Sequence, residues 1–161
     1  MTVFKTVGAA LILLSAIILV RSYTAYERER VMVASALLSF LISSREAAVK
    51  YMTPIAVSVK NITDELLLSR GFVEEYHRTG SASAAYERVH GRYRGRIFSM
   101  LSEEFSGLGS GYLSGEMDRL RSTGERIKDQ LERERGESEK NIKVTTTLVI
   151  AAAFGIIILF L

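Results

Sequence analysis

The last 18 residues of the chain, 144–161, constrain its fold more than any other segment. They contain no charged side chain, and Lys140 and Lys143 mark the start of the apolar run. An α-helix rises about 1.5 Å per residue, so these residues make a rod of about 27 Å, close to the thickness of the hydrocarbon core of a bilayer. The alternative is a buried helix of a soluble core, but the segment is apolar all round. It is therefore predicted to be a transmembrane helix.

A second apolar run, residues 7–20, lies near the N-terminus. It is short for a membrane span unless Lys5 extends its amine to the lipid headgroups, which lengthens the usable run. A cleaved signal peptide is the alternative. However, residues 22–24, Ser-Tyr-Thr, make a poor cleavage site, and Arg21 directly follows the run. Residues 1–22 are therefore predicted to be a transmembrane anchor that stays on the chain.

Positive charges predict the orientation of the two spans. Those near the inner ends of the runs are Arg21, Arg28, Arg30, Arg133, Arg135, Lys140 and Lys143. Cytoplasmic segments next to membrane spans carry an excess of Lys and Arg. Residues 23–143 are therefore predicted to be a cytoplasmic domain, with both termini on the other side of the membrane. The chain would be a membrane hairpin, with spans at residues 1–22 and 144–161 and one soluble domain between them.

The composition excludes several classes of function. The chain has no cysteine, which rules out disulfides, zinc–thiolate sites and thiol nucleophiles. Its formal net charge is +3, and basic and acidic residues are mixed along the sequence. A nucleic-acid-binding surface would instead carry a stripe of Lys and Arg with interleaved aromatic residues. No nucleic-acid partner is predicted.

Apolar residues recur at helical spacing on both sides of the middle of the chain. Steps of three and four residues connect Val31, Ala34, Leu38, Leu41, Arg45, Ala48 and Met52, and also Leu113, Met117, Leu120, Gly124, Ile127 and Leu131. Such stripes predict two long helices that run to the bilayer and pack as an antiparallel pair. No segment alternates with the two-residue period of a strand over a useful length. The domain is predicted to be all-α.

Four shorter helices are predicted to pack on this pair. The first begins at Pro54, with Thr53 as its N-cap, and continues to Gly71. Ser83 is expected to cap a later one. The apolar residues that these helices should bury are Ile55, Val59, Ile62, Leu66, Phe72, Tyr76, Tyr86, Val89, Ile97, Leu101 and Phe105. Four glycines within residues 107–115 predict a loop before the last helix.

Two Glu-x-x-His pairs are the strongest catalytic signal in the sequence. Glu74 and His77 form one pair, and Glu87 and His90 form the other. Two such pairs are half of the ligand set of a carboxylate-bridged di-metal site, which needs further glutamates. The candidates are Glu46, Glu103 and Glu116. Both pairs lie in short polar segments, where this spacing is an ordinary surface pair. No catalytic, cofactor-binding or metal-ligating residue is assigned, and a di-metal enzyme is the less favoured alternative.

Arg92, Arg94 and Arg96 form a compact basic cluster. A solvated surface is its plainest interpretation. The functional alternatives are contact with anionic lipid headgroups or with an acidic face of a protein partner. These three arginines are therefore the candidate partner-binding residues.

The second span carries small residues four positions apart, at Ala151 and Gly155. This spacing lets another helix approach closely. The face could pack on the first span of the same chain or on a different membrane protein, and the sequence does not separate these two interpretations. A homo-oligomer is left open in the same way.

Several short segments, together with the layout of the spans, carry a family resemblance. They are Tyr26-Glu27-Arg28, the leucines 37, 38 and 41 before Glu46, Tyr51-Met52-Thr53-Pro54-Ile55, Leu108-Gly109 and the Gly155-Ile-Ile-Ile-Leu ending. In these segments and in its layout the whole chain resembles the stage III sporulation protein AB family. It departs from the family pattern at Ala48, where a glutamate is usual, and at Tyr86, where a tryptophan is common. The Asp and Gln expected after Leu-Gly are also missing.

The resemblance implies a non-catalytic role in endospore formation. Members of this family resemble the inner-membrane platform protein of type II secretion and type IV pilus systems. The protein would belong to the channel complex between mother cell and forespore, in the mother-cell membrane around the forespore. Its implied partners are a cytoplasmic secretion-type ATPase and other membrane subunits of that complex, besides the lipid bilayer. A membrane-bound helical signalling module is the main alternative, although almost nothing of the chain is predicted to lie outside to receive a stimulus.

Overall fold

A computed structural model of the protein describes residues 2–108 and 116–160, with the side chains of residues 5–108 and 123–159. In these ranges the chain is helical and contains no strand. The helices are α1 (Thr2–Tyr51), α2 (Ile55–Lys60), α3 (Glu65–Ser69), α4 (Phe72–Thr79), α5 (Ala82–His90), α6 (Arg96–Ser106) and α7 (Glu116–Phe160). The predicted all-α class is thus confirmed. The predicted glycine loop lies mostly outside the described residues, which resume at Glu116.

The chain divides into two compact units. The first, which we call the helical domain, is Arg30–Glu134. It lies inside the range 23–143 that the sequence predicts for the soluble domain. The second, the span unit, consists of Met1–Glu29 and Arg135–Leu161.

The span unit contains two helical stretches that are long and apolar enough to cross a membrane. Only 0% and 6% of their most apolar windows are buried inside the protein. Its exposed large side chains include Leu11, Leu14, Ile17, Ile18, Leu148, Phe154, Ile158 and Leu159. In water so much exposed apolar surface would associate, whereas in lipid it is the surface that a spanning helix presents. The prediction of two candidate membrane spans is confirmed as far as the length and composition of the helices are concerned.

Small residues in the second span differ in exposure. Ala153 is only 5% exposed, so its face of the helix is the covered one. Ala151 and Gly155 are exposed, and a Cβ built at Gly155 would have nothing within 4 Å among the described atoms. The face predicted for close helix packing is therefore left uncovered by the described part of the chain.

The start of α1 within the helical domain follows the predicted stripe closely. Ala34, Leu38 and Leu41 are buried, and Leu37 and Phe40 widen the buried face. Farther along the stripe lies Arg45, a charged residue at a position where the helical spacing predicts an apolar one.

That charged residue, Arg45, is explained by a partner on α6. Its Nη2 atom lies 2.5 Å from a carboxylate oxygen of Glu104, and both side chains are mostly buried, with 13% and 14% exposed. An ion pair lets two charged groups occupy the edge of an apolar contact between helices. The apolar stripe therefore continues as a packing face across Arg45.

α1 ends at Tyr51, before Thr53-Pro54, as predicted. Proline has no amide hydrogen and restricts the residue before it, so a helix ends readily at this point. The predicted cap is wrong, however. Pro54 is itself the N-cap residue of α2, in an extended conformation, and no side chain caps the helix. Thr53 instead donates its backbone N–H to the carbonyl of Ala47 at 3.2 Å.

The single helix predicted from Pro54 to Gly71 is in fact two helices, α2 and α3. The break occurs because Asp64 begins a new helix: its Oδ1 atom accepts hydrogen bonds from the N–H groups of Leu66 and Leu67 at 3.0 and 3.1 Å. A carboxylate at this position satisfies amide groups that the helix itself leaves unpaired and interacts well with the helix dipole. The predicted apolar residues still face the core in spite of the break.

The cap predicted for α5 is also wrong. Ser81 is the N-cap, and its Oγ atom accepts a hydrogen bond from the N–H group of Ala84 at 3.3 Å. Ser83 lies within the first turn of the helix. Both serines fit the sequence signature of a helix N-cap. In the structure, the Ser81 hydroxyl is the one that accepts a hydrogen bond from a backbone N–H group.

Replacing Ser81 with alanine should lower the free energy of unfolding by about 1 kcal/mol, because the N-cap hydrogen bond is lost. Replacing Ser83 with alanine, the matched control, should leave stability unchanged or slightly raised, since alanine has the highest helix propensity. Urea titration of the full chain in detergent, followed by circular dichroism, measures both. A larger loss at Ser83 than at Ser81 would contradict the observed cap.

The core of the helical domain is a cluster of aromatic rings. The ring centroid of Phe40 lies 4.9 Å from that of Phe72 and 6.2 Å from that of Phe105. Tyr86 stacks on Phe105 at 5.0 Å. The Tyr86 hydroxyl donates a hydrogen bond to the carbonyl of Phe98, and burial raises its pKa well above the usual range. These rings join α1, α4, α5 and α6 into one core.

Candidate docking site

The three candidate arginines lie where α5 passes into α6. Arg92 and Arg94 belong to the connecting segment, and Arg96 is the first residue of α6. All three are exposed, whereas Tyr93 between them is only 1% exposed. We call residues 91–96 the basic loop. Its buried tyrosine fixes the loop to the core and leaves the arginines at the surface.

The Tyr93 side chain also contacts a fourth arginine, Arg70. Its hydroxyl oxygen accepts hydrogen bonds from Nη2 of Arg70 at 2.9 Å and from Nε and Nη2 of Arg92 at 3.1 and 3.0 Å. Both guanidinium carbons also lie over the ring, at 5.3 and 5.2 Å from its centroid. We call Arg70 and Arg92 the arginine pair.

The arginine pair concentrates positive charge at one point. Each group lies about 3 Å from the same oxygen. The Tyr93 hydroxyl and ring hold both guanidinium groups through these hydrogen bonds and cation–π contacts.

The sequence gives no signal that would have identified Arg70. It is the C-cap residue of α3, and 23 positions separate it from Tyr93. Only the packing of α3 and α4 against the α5–α6 segment brings them together.

The other end of the basic loop is held by Glu134 of α7. One of its carboxylate oxygens accepts a hydrogen bond from the N–H group of Ile97 at 3.0 Å, and the other lies 3.3 Å from Nη1 of Arg30 on α1. Arg30 also donates to the carbonyl of Arg94 at 3.4 Å. Glu134 thus caps the N-terminus of α6 from a different helix. This contact links α1, α6 and α7 within the helical domain.

Gly95 makes this contact possible. Its φ of +146° is a conformation that residues with a side chain rarely adopt. A Cβ at this position would lie 3.3 Å from both Nη1 of Arg30 and Oε2 of Glu134. Glycine therefore supplies both the backbone turn and the space for the carboxylate.

Glu134 lies in a run of charged residues that follows Leu131. The residue is only 7% exposed. Glu134 follows Leu131 by three residues, which is the next position of the apolar stripe of the last helix. This spacing is the sequence signal for the burial of Glu134.

A groove of about 630 Å³ lies beside the basic loop, between the end of α5 and one face of α6. Its lining includes Arg94, Glu87, Glu103 and His90, so both signs of charge face it. His90 stacks on Tyr86 at 4.5 Å. Burial lowers the pKa of the His90 imidazole, and the Glu87 carboxylate, 3.4 Å from Nδ1, opposes that shift.

The two Glu-x-x-His pairs behave as local surface features. Glu87 and His90 pair with each other, whereas His77 is exposed and its helix instead carries an ion pair between Glu75 and Arg78. The hydrogen bond from Arg78 lowers the pKa of the Glu75 carboxyl. In the part of the chain whose side chains are described, no three His, Asp or Glu residues are close enough to hold a metal ion. The side chain of Glu116, one of the further candidate ligands, lies outside that part.

Comparison of the chain with protein-family models, with curated proteins and with solved structures finds no match. The case for a function therefore depends on the residues of this chain. Among them, the exposed arginines fixed to the aromatic core through Tyr93 and to α7 through Glu134 form the best-defined surface feature.

Proposed function

We propose that this protein is a non-catalytic membrane platform subunit. The two spans hold the helical domain at the cytoplasmic face of the membrane. The domain then docks a protein partner, a cytoplasmic secretion-type ATPase, through the basic loop. In keeping with the resemblance of the sequence, we propose that it acts in endospore formation, within the channel complex of the mother-cell membrane around the forespore.

The observation that carries the proposal is the fixed position of the exposed arginines. Arg92 is aligned by the hydroxyl of a buried tyrosine, and the backbone of the loop is held by Arg30 and Glu134. A surface that is ordered before binding loses less conformational entropy when a partner arrives. Arginine is also enriched among the residues that dominate binding energy in protein interfaces. A preorganised basic surface on an anchored domain supports docking of an acidic partner face.

The span unit supports the membrane part of the proposal. Its exposed side chains are large and apolar over two helical stretches. The excess of basic residues at the inner ends of both runs favours a cytoplasmic location for the helical domain. On this orientation the basic loop faces the compartment in which an ATPase would have access to nucleotide.

Charge reversal of the basic loop tests the proposal. Changing Arg92, Arg94 and Arg96 to glutamate in the full chain should lower the amount of ATPase that co-purifies in mild detergent by about tenfold or more. This corresponds to the loss of about 1.4 kcal/mol of binding free energy. Like charges facing each other at an interface oppose binding and favour dissociation.

The matched control reverses three exposed basic residues elsewhere, Lys50, Lys60 and Lys128. Its net charge equals that of the test variant, so recovery of the ATPase should stay near the wild-type level. Unchanged recovery with the loop variant would remove these arginines from the docking site. Equal losses in both variants would indicate a general effect of net charge instead.

A further inference from the structure

The turn between α1 and α2 exposes large apolar side chains. Tyr51 and Met52 are 77% and 79% exposed, and Val57 at the start of α2 is also exposed. We call residues 51–57 the apolar turn. Neighbouring apolar side chains at this exposure are typical of a surface that contacts another protein, and Tyr and Met are enriched in such contacts. The apolar turn is therefore a candidate contact surface.

The backbone of Met52 supports the same conclusion. Its φ is +51°, and it is the one residue other than glycine with a positive φ in the described part of the chain. Glycine is the usual residue in this conformation after a helix, because a side chain is strained there. Strained residues of this kind cluster at functional sites. The strain indicates that the Met52 side chain itself is needed at the surface.

The charges next to the apolar turn are positive. Lys50 precedes the turn and Lys60 is the last residue of α2, and both are exposed. Residues 47–63 contain no acidic side chain. Because contact surfaces are complementary in charge, a surface that accepts the apolar turn should carry negative charge.

The groove beside the basic loop carries the matching charge. Its lining includes the ring of Phe98, the carboxylates of Glu87 and Glu103 and the guanidinium of Arg94. Burial lowers the pKa of the His90 imidazole, so at neutral pH this group is mostly uncharged and does not offset the charge of Glu87. The lining therefore has a net negative charge next to an aromatic ring.

We propose that the apolar turn of one chain inserts into the groove of a second copy of the chain. Tyr51 and Met52 would lie against the aromatic part of the groove, with the two flanking lysines near its carboxylates. The contact joins two different surfaces, so each chain can use its turn on one neighbour and its groove on the next. Contacts of this kind build rings or open rows of subunits. The inference goes beyond the proposed function and does not depend on which partner docks at the basic loop.

The small size of the contact determines where it should form. An aromatic side chain buries about 150–250 Å² in a contact. A standard interface between two proteins buries about 800 Å² on each partner, which the few side chains of the apolar turn do not reach. Anchoring in one membrane raises the effective concentration of the chains. We therefore expect the contact in a bilayer and not between chains that are dispersed in detergent.

Cysteine cross-linking in phosphatidylcholine vesicles tests the contact, and the full chain has no native cysteine to interfere. Ala56→Cys, in the apolar turn, and Ser99→Cys, in the groove lining, are placed in separate chains that carry tags of different size. The two chains are reconstituted together and oxidised mildly. The disulfide between them should form in about fivefold or higher yield than with Ser69→Cys as the second chain. Ser69 is an exposed serine of α3 that does not line the groove.

A further substitution in the Ala56→Cys chain tests the apolar contact without changing the thiols. Met52→Gly should lower the cross-linking yield about fivefold or more. It should not unfold the chain, because glycine adopts a φ of +51° without strain. Met32→Ala, at another exposed methionine of the helical domain, is the control and should leave the yield unchanged.

Charge exchange tests the pairing of the lysines with the carboxylates. Lys50→Glu with Lys60→Glu in the Ala56→Cys chain should lower the yield about fivefold or more. Adding Glu87→Lys with Glu103→Lys to the groove chain should then restore it. A yield that the lysine substitutions leave unchanged would overturn the proposed pairing of charges.

Equal cross-linking of Ala56→Cys to Ser99→Cys and to Ser69→Cys would overturn the inference, as would an unchanged yield with Met52→Gly. Predominant disulfides between two Ala56→Cys chains would overturn it in favour of a symmetric contact through the turn. Loss of the cross-link when phosphatidylglycerol is added to the vesicles would overturn it in favour of binding of the turn to lipid headgroups.

Discussion

Replacing Phe105 with alanine is expected to lower the free energy of unfolding of the helical domain by about 3–5 kcal/mol. Phe105 is 1% exposed, and its ring packs against those of Phe40, Phe72 and Tyr86 at centroid distances of 6.2, 6.1 and 5.0 Å. Alanine would leave a cavity at the point where α1, α4, α5 and α6 meet. The surrounding rings belong to different helices, so they cannot collapse into that space without disturbing other contacts.

Urea titration of the full chain in detergent, followed by the near-ultraviolet circular dichroism of tyrosine, measures this loss. Met32→Ala is the control, because Met32 belongs to the same domain but is 53% exposed. Its effect should stay within about 0.5 kcal/mol, as for most surface substitutions. A loss of less than about 1 kcal/mol at Phe105 would show that the aromatic cluster does not hold the domain together.

Replacing Glu134 with alanine is expected to lower the free energy of unfolding of the helical domain by about 2–4 kcal/mol. This is an unusually large effect for a charged residue. The change removes the acceptor of the Ile97 N–H group and the carboxylate that is ion-paired with Arg30. The Arg30 guanidinium, whose side chain is only 17% exposed, would lose the charge compensation that this carboxylate provides. The first turn of α6 would also lose its only side-chain cap among the described contacts.

Glu132→Ala is the matched control, because this glutamate lies on the same helix but is exposed. It should change the stability by less than about 0.5 kcal/mol. Glu134→Gln should lower the free energy of unfolding by an intermediate amount. Its amide oxygen can still accept the hydrogen bond from the Ile97 N–H group, but the negative charge opposite Arg30 is gone. Equal stability of the Glu134 and Glu132 variants would contradict the role of Glu134 as a cap.

Much of the fold could be predicted because helical spacing and chain breakers are local signals. The stripe at Ala34, Leu38 and Leu41 predicts a buried face, and Pro54 predicts where α1 stops. The exact ends and caps of the helices could not be predicted as well. Ser81 and Ser83 are chemically identical candidates for one cap, and only the backbone path of the turn decides between them.

The candidate site was predicted in part. The arginines of the basic loop stand out in the sequence, and their exposure follows from their charge. The contacts that hold them could not be predicted in the same way, because Arg70 and Glu134 are 23 and 37 residues from the atoms they contact. A buried carboxylate within a charged run is recognised only when the tertiary fold brings a cation and an amide to it. The proposed docking surface therefore depends on long-range packing that no local pattern specifies.

The proposed membrane hairpin, with its helical domain in the cytoplasm, is tested most directly by cysteine labelling. The chain has no native cysteine, so one residue can be introduced at a time and labelled without background. Lys60→Cys places the thiol on the exposed surface of the helical domain. Thr2→Cys introduces it on the N-terminal side of the apolar run at residues 7–20. In intact protoplasts of vegetative bacterial cells that express the chain in the plasma membrane, a membrane-impermeant maleimide should label Thr2→Cys and not Lys60→Cys, and permeabilisation should make both reactive. Labelling of Lys60→Cys in intact protoplasts would contradict the hairpin and, with it, the proposed docking of a cytoplasmic ATPase.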